Sequence, residues 1–181
     1  MPTILSHSAV PLALGLGLGT GIIPRRLLAA GVLASILSDL DVLAFRIGIP
    51  YAHDFGHRGA SHSLAFAALL GLLALALAAP LRTSRSAAFW FVFIAAASHG
   101  LLDMLTNGGL GVALAWPVSD TRYFFPARVI EVSPLNLHRF FSPAGAAVLL
   151  SELRWVWLPS AVAGIVIFVG RRKIAATEIA K

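Results

Sequence analysis

Ser63-Leu64-Ala65-Phe66-Ala67-Ala68-Leu69-Leu70-Gly71-Leu72-Leu73-Ala74-Leu75-Ala76-Leu77-Ala78-Ala79-Pro80 decides the fold class. No side chain in this stretch carries a charge or an amide, and only the first carries a hydroxyl. A helix on the surface of a soluble domain needs a polar face. A stretch of this length that is apolar all round fits a bilayer instead. Lipid offers no partner for open backbone N–H and C=O groups, so the segment must be helical.

Four further apolar segments flank it, at about Ser8–Ile23, Leu27–Val42, Ala87–Leu105 and Trp155–Gly170. Each lies near the lower limit of the ~17–25 residues that cross as a helix. Of the 181 residues, 58% are hydrophobic, and the mean hydropathy is +0.85. The expected fold is all-α: a polytopic membrane helical bundle of about five spans. A long outer loop, Thr106–Arg154, should contain short helices, Gly145–Leu153 among them. The length favours a single domain over 1–181. The run Gly15-x-Gly17-x-Gly19-x-Gly21 would let helices approach closely. Met1–His7 lacks a basic leader and a small-residue cleavage pattern, so no secretory signal peptide is expected.

The net charge of +6 is not organised for nucleic acid, since no Lys/Arg run is interleaved with aromatics as a nucleic-acid groove requires. The expected partner is the lipid bilayer, and the sequence is silent on oligomeric state. Basic residues cluster instead at Arg25-Arg26, at Arg82 with Arg85, and at Arg171-Arg172-Lys173. Excess positive charge marks cytoplasmic loops. The opposite side keeps Arg46, Arg58, Arg122, Arg128, Arg139 and Arg154, so the bias is partial. It predicts a multi-pass membrane protein with these three clusters on the cytoplasmic side.

That orientation places His7, Asp39, Asp41, His53, His57, His62, His99 and Asp103 near one face, the non-cytoplasmic one. Ionisable groups near spans are expensive, and their convergence from four helix ends points to function. The chain has no cysteine, so a metal here would be held by imidazole and carboxylate. Such a set suits Zn²⁺ best, with Mn²⁺ or Fe²⁺ as alternatives.

Ser98-His99-Gly100-Leu101-Leu102-Asp103 puts an imidazole and a carboxylate four apart on one helix face. They can share an ion or form a hydrogen-bonded pair between helices. Asp39-Leu40-Asp41 can turn both carboxylates inward at a helix end, or cap that end. His53, His57 and His62 crowd a glycine-containing loop that could also be merely interfacial or pH-responsive. Glu152 can serve as a further ligand or pair with Arg139 or Arg154. The spacing leaves open whether His53, Glu131 or His138 joins the group.

A divalent ion here could activate water and polarise a phosphoryl oxygen, and the ligand inventory is large enough for two ions. Asp39 or Asp41 would accept the proton of that water. Arg58, Asn107 and Arg122 are candidates for holding the substrate, with guanidinium suited to phosphate. The loop aromatics around Trp116 and Arg122-Tyr123-Phe124-Phe125 fit an interfacial belt or a lid.

The succession Ser6-His7, Ser38-Asp39-Leu40-Asp41, His57-Arg58-Gly59-Ala60-Ser61-His62-Ser63 and Ser98-His99 through Asp103-Met104-Leu105-Thr106-Asn107-Gly108-Gly109 resembles the YdjM-type family of bacterial inner-membrane metal-dependent hydrolases. Trp116-Pro117 also fits. Ser38 stands where the family usually has proline. The family looks distantly similar to zinc-dependent phospholipases C and single-strand nucleases, helical enzymes with a three-zinc site. That likeness implies His7, Asp41, His57 or His62, His99 and Asp103 as ligands, with Glu152 the match for a late glutamate. No histidine lies four residues before Glu152. The implied function is a membrane-bound metal-dependent hydrolase with a lipid or other phosphoester as substrate. The alternatives are a metal-binding transporter or sensor without hydrolysis, or a protein in which these residues serve helix packing alone.

Overall fold

The computed structural model describes residues 1–133 and 141–179. His138 and Arg139 lie outside the described residues. Among those described, the chain is helical and contains no strand, only isolated bridges pairing Thr106 with Ile130 and Val112 with Tyr123.

A 3-10 turn, Ser6–Ser8, leads into α1, Ala9–Leu18. Helix α2, Arg25–Leu37, continues as a 3-10 stretch, Ser38–Ile47, that stops at left-handed Gly48. Helix α3, Leu64–Ala76, is capped by Ser63, whose hydroxyl accepts from Phe66 N at 3.1 Å. Helix α4, Arg85–Met104, is capped in the same way by Ser84. Both caps satisfy an amide that the first turn leaves open. Helix α5, Pro143–Glu152, runs through a π-helical turn, Leu153–Trp157, into α6, Leu158–Ile179.

Among the described residues, three stretches are long and apolar enough to cross a membrane: Arg25–Ile47, Arg85–Met104 and Pro143–Thr177. The other two expected spans form shorter helices. At ~1.5 Å per residue, the thirteen residues of α3 reach about 20 Å, against the ~30 Å of a hydrocarbon core. The last crossing begins earlier than Trp155, because the expected short helix Gly145–Leu153 is continuous with it. Between Thr106 and Ser133 the outer loop holds turns and bridges instead of helices.

Helix α4 is the spine, with α2 and α3 both packed on it and α1 packed on α6. Its buried face carries Ala88, Phe91, Val92 and Ala96 against Leu27, Ala34, Ala67 and Ala74. Small side chains let these backbones approach, which is how helices associate in lipid. Helices α1 and α6 also approach closely, and a Cβ on Gly17 would lie 2.7 Å from the Gly164 carbonyl oxygen. The outward faces are apolar, with Leu33, Leu69, Leu72, Val162 and Ile165 exposed.

The chain direction gathers the chemistry at one end: α1 and α3 begin there, while α2 and α4 finish there. The basic clusters lie at the other end. Arg171 donates to the Leu18 carbonyl at the foot of α1, and Arg26 donates to Pro80 O at 3.0 Å.

Candidate metal centre

His99 sits one turn before the end of α4, so that Asp103 follows it on the same face. Its Nδ1 lies 2.7 Å from the Ser35 carbonyl oxygen on α2. A carbonyl can only accept, so Nδ1 carries the proton and Nε2 presents its lone pair. That Nε2 faces His62 Nε2 at 2.9 Å, Asp39 Oδ1 at 3.4 Å and Asp103 Oδ2 at 4.0 Å.

His62 is held from behind. Its Nδ1 lies 3.1 Å from Asp41 Oδ2, and its Nε2 lies 3.2 Å from Asp103 Oδ2 and 3.9 Å from Asp39 Oδ1. Asp39, His62, His99 and Asp103 are all buried and place one ligand atom each within 4.8 Å of the others. Both imidazoles therefore have a backbone or carboxylate partner behind them and turn Nε2 toward the group, the arrangement that orients metal-ligating histidines.

The second oxygens of the two carboxylates face His7. Its Nε2 lies 3.8 Å from Asp39 Oδ2 and 3.8 Å from Asp103 Oδ1, and its ring stacks on His99 at 3.6 Å. Asp39 and Asp103 thus present one oxygen to the His62–His99 side and one to the His7 side. Both oxygens of Asp39 and both nitrogens of His7 are buried with no hydrogen-bond partner, while Asp103 Oδ2 has His62 and Arg58 beside it at 3.2 and 3.1 Å. Buried polar groups are almost always satisfied, and leaving such atoms bare is costly. An ion among them resolves the deficit, so these residues fit a divalent metal.

Asp41, His57 and His62 form an adjoining group. The carboxylate of Asp41 is in use: it meets His57 Nδ1 at 2.5 Å and accepts from Ser61 Oγ at 2.6 Å and Arg58 N at 3.1 Å. Burial lowers the pKa of His62, but the hydrogen bonds to Asp103 and Asp41 outweigh it and raise the imidazole to about 9. Without a metal, a proton stands where positive charge is needed.

The loop carrying His57 folds tightly, and a Cβ on Gly59 would collide with the Asp54 carbonyl oxygen. Arg58 takes a left-handed backbone, φ 62°, and turns fully inward. Its Nε is 3.1 Å from Asp103 Oδ2, while Nη1 donates to Gly108 O and Nη2 to Thr106 Oγ1. Arg58 and His57 also line a 160 Å³ cavity with Tyr51, Gly109 and Ser133.

The other sequence candidates occupy supporting places. Arg122 donates to the carbonyls of His57, Tyr51 and His53, fastening the His loop. Asn107 donates to Glu131 and accepts from Val132 N. His53 accepts from Phe55 N and lies outside both ligand groups. Glu152 is buried but also lies outside them; it accepts from the Thr3 backbone and hydroxyl and from Ser6, next to His7. Sequence reading missed Ser35, whose contribution is a carbonyl and leaves no side-chain signal. It also missed Ser61 as a partner of Asp41, and Tyr51 as a cavity wall. Ser61 stood inside the quoted His57–Ser63 block, where its hydroxyl was the available clue.

A family model described as YdjM inner membrane protein matches residues 1–175. The chain is 48% identical over 160 residues to the inner membrane protein YbcI of Escherichia coli (strain K12), covering 88% of this chain and 92% of that protein. No solved structure matches the chain.

Proposed function

The chain belongs to the YdjM inner membrane protein family, and on that premise we propose that it is a metal-dependent hydrolase of phosphoesters, acting at the non-cytoplasmic face of the inner membrane from one domain. The observation that carries this reading is the set of buried, unpartnered ligand atoms on His7 and Asp39 beside Asp103, His62 and His99. Asp39, His62, His99 and Asp103 would hold a divalent ion, zinc being the best match to two imidazoles and two carboxylates. His7, facing the second oxygens of Asp39 and Asp103, would hold a second. When bound, such an ion supplies Lewis acidity toward a phosphoryl oxygen and lowers the pKa of water.

The residues divide the remaining work. With one ion bound, Asp39 Oδ2, which makes no hydrogen bond, would take the proton of the water that attacks phosphorus and pass it to the ester oxygen as the P–O bond breaks. Asp41 acts through His57 and His62, fixing their rings by hydrogen bonds. Arg58 neutralises Asp103 and borders the cavity from which a phosphoester would approach. Arg122 and Asn107 would support the walls of that cavity, Arg122 through the carbonyls of His57 and Tyr51 and Asn107 through Val132 N. The face rests on the charge flanks, because Arg25-Arg26, Arg82 with Arg85, and Arg171-Arg172-Lys173 mark the far end as cytoplasmic. The step from metal centre to hydrolysis rests on the motif likeness to zinc phospholipases.

Transport is the weaker reading, since α4 from Ala87 to Ala97 carries only apolar side chains below the site. The test is a panel of p-nitrophenyl phosphate, bis-p-nitrophenyl phosphate and phosphatidate with purified protein loaded with zinc, manganese or iron. Turnover that a chelator abolishes and metal restores supports the reading. No turnover with any metal, together with metal flux into proteoliposomes, would replace it with transport.

A further inference from the structure

Helices α2 and α3 both pack on α4 and leave a cleft between them, floored by Val92 of α4. Its volume is 420 Å³, and every residue lining it is Ala, Leu, Ile or Val. Leu33 and Leu73 on its two walls are 63% and 55% exposed, so it opens sideways toward lipid. At the foot it reaches Leu77 and Leu81. At the head it reaches Leu37, Leu40 and Ile4. Leu40 lies between Asp39 and Asp41, and Ile4 lies three residues before His7. The cleft therefore runs along the bundle and ends beside the metal centre.

Its length is informative. The wall formed by α2 and the 3-10 stretch after it runs from Ala30 to Leu40, about 15 Å at ~1.5 Å per residue. That is the depth of one leaflet of a ~30 Å hydrocarbon core. An unlined gap of this size between helices would be costly, whereas a methylene chain from the adjoining leaflet fills it without desolvating a polar group.

We propose that this cleft holds one acyl chain of a membrane lipid, seated so that its phosphate headgroup reaches the Asp39–His62–His99–Asp103 centre. The substrate class is then a phospholipid of the leaflet on the site's side of the membrane. This rests on reading the centre as a phosphoester site, which gives the headgroup its destination. The opposing possibility is ordinary lipid contact with no seat, as at the exposed face of α6.

The experiment uses delipidated, zinc-loaded full-length protein in detergent, with palmitoyl lysophosphatidate as the probe. Binding is read by native mass spectrometry and equilibrium titration. Wild type should hold about one molecule per chain. Ala30→Phe fills the cleft from α2 and should weaken binding at least tenfold. Leu33→Trp, at an exposed position on the rim, should do the same and guards against misfolding of the first variant. Val162→Phe, on the exposed face of α6, should bind as wild type does. Equal binding by all four proteins, or no retained lipid in wild type, overturns the proposal. A cleft-dependent lipid that stays uncleaved, with p-nitrophenyl phosphate also uncleaved, keeps the seat and removes the hydrolase reading. Cleavage of p-nitrophenyl phosphate with no cleft-dependent binding keeps the hydrolase and removes the seat.

Discussion

Arg58 Nε stands 3.1 Å from Asp103 Oδ2, and both side chains are completely buried. A pair of this kind gives little net stability as a pair, but removing one partner strands the other, at about 3–5 kcal/mol. Arg58→Ala should therefore lower the melting temperature of the metal-free protein in detergent substantially. Added zinc should recover part of the loss, because an ion also compensates Asp103. Arg58→Lys should recover little, since an ammonium cannot reach Asp103, Thr106 and Gly108 with one planar fork. A metal-free Arg58→Ala protein that melts like wild type would show that Arg58 does not hold Asp103.

Glu152, the last residue of α5, joins that helix to the segment before His7. It accepts from Thr3 and Ser6, and Trp157 also donates to Ser6 Oγ, at 2.9 Å. Glu152→Ala leaves these donors without a partner, at about 1–3 kcal/mol. Thermal denaturation should show that loss while metal bound at the Asp39–His62–His99–Asp103 group keeps its stoichiometry. Loss of one full equivalent of metal with unchanged stability would instead make Glu152 a ligand.

Metal affinity should rise with pH. His62 is raised to about 9 by Asp103 and Asp41 against the effect of burial, so at neutral pH the metal-free site holds a proton that the ion must displace. Below that pKa, this one proton should weaken apparent affinity about tenfold per pH unit of acidification, and above it the dependence should flatten. Asp41→Asn removes one of the two groups that raise His62, and should shift the bend to lower pH. Competition titration with a chromophoric chelator from pH 6 to 9.5 reads both effects. An affinity independent of pH would contradict a metal at His62.

Much of this was legible in the sequence, for physical reasons. The Leu/Ala run at Ser63–Pro80 has no polar face, and His99 and Asp103 share a helix face by spacing alone. The convergence of His7, Asp39, His62 and His99 followed from helix direction once the basic flanks were paired. Span length was less legible. Hydropathy continues past Leu18 and Ala76, but a glycine of positive φ, Gly19, ends α1, and α3 closes in a turn before Arg82, φ 58°. The roles of Arg58, Arg122 and Asn107 were not legible either. A cation beside a His cluster reads the same whether it turns toward a ligand or grips Asp103 and loop carbonyls. Ser35 was invisible because its contribution is backbone.

The central claim is that Asp39, His62, His99 and Asp103 bind metal, and elemental analysis of the detergent-purified protein tests it most directly. Wild type should carry at least one equivalent of zinc, manganese or iron per chain. Asp39→Ala and His99→Ala should each lose at least one equivalent, while His53→Ala, outside the group, should match wild type. Metal-free wild type that stays metal-free after incubation with zinc, or the same metal content in all four proteins, would contradict the account.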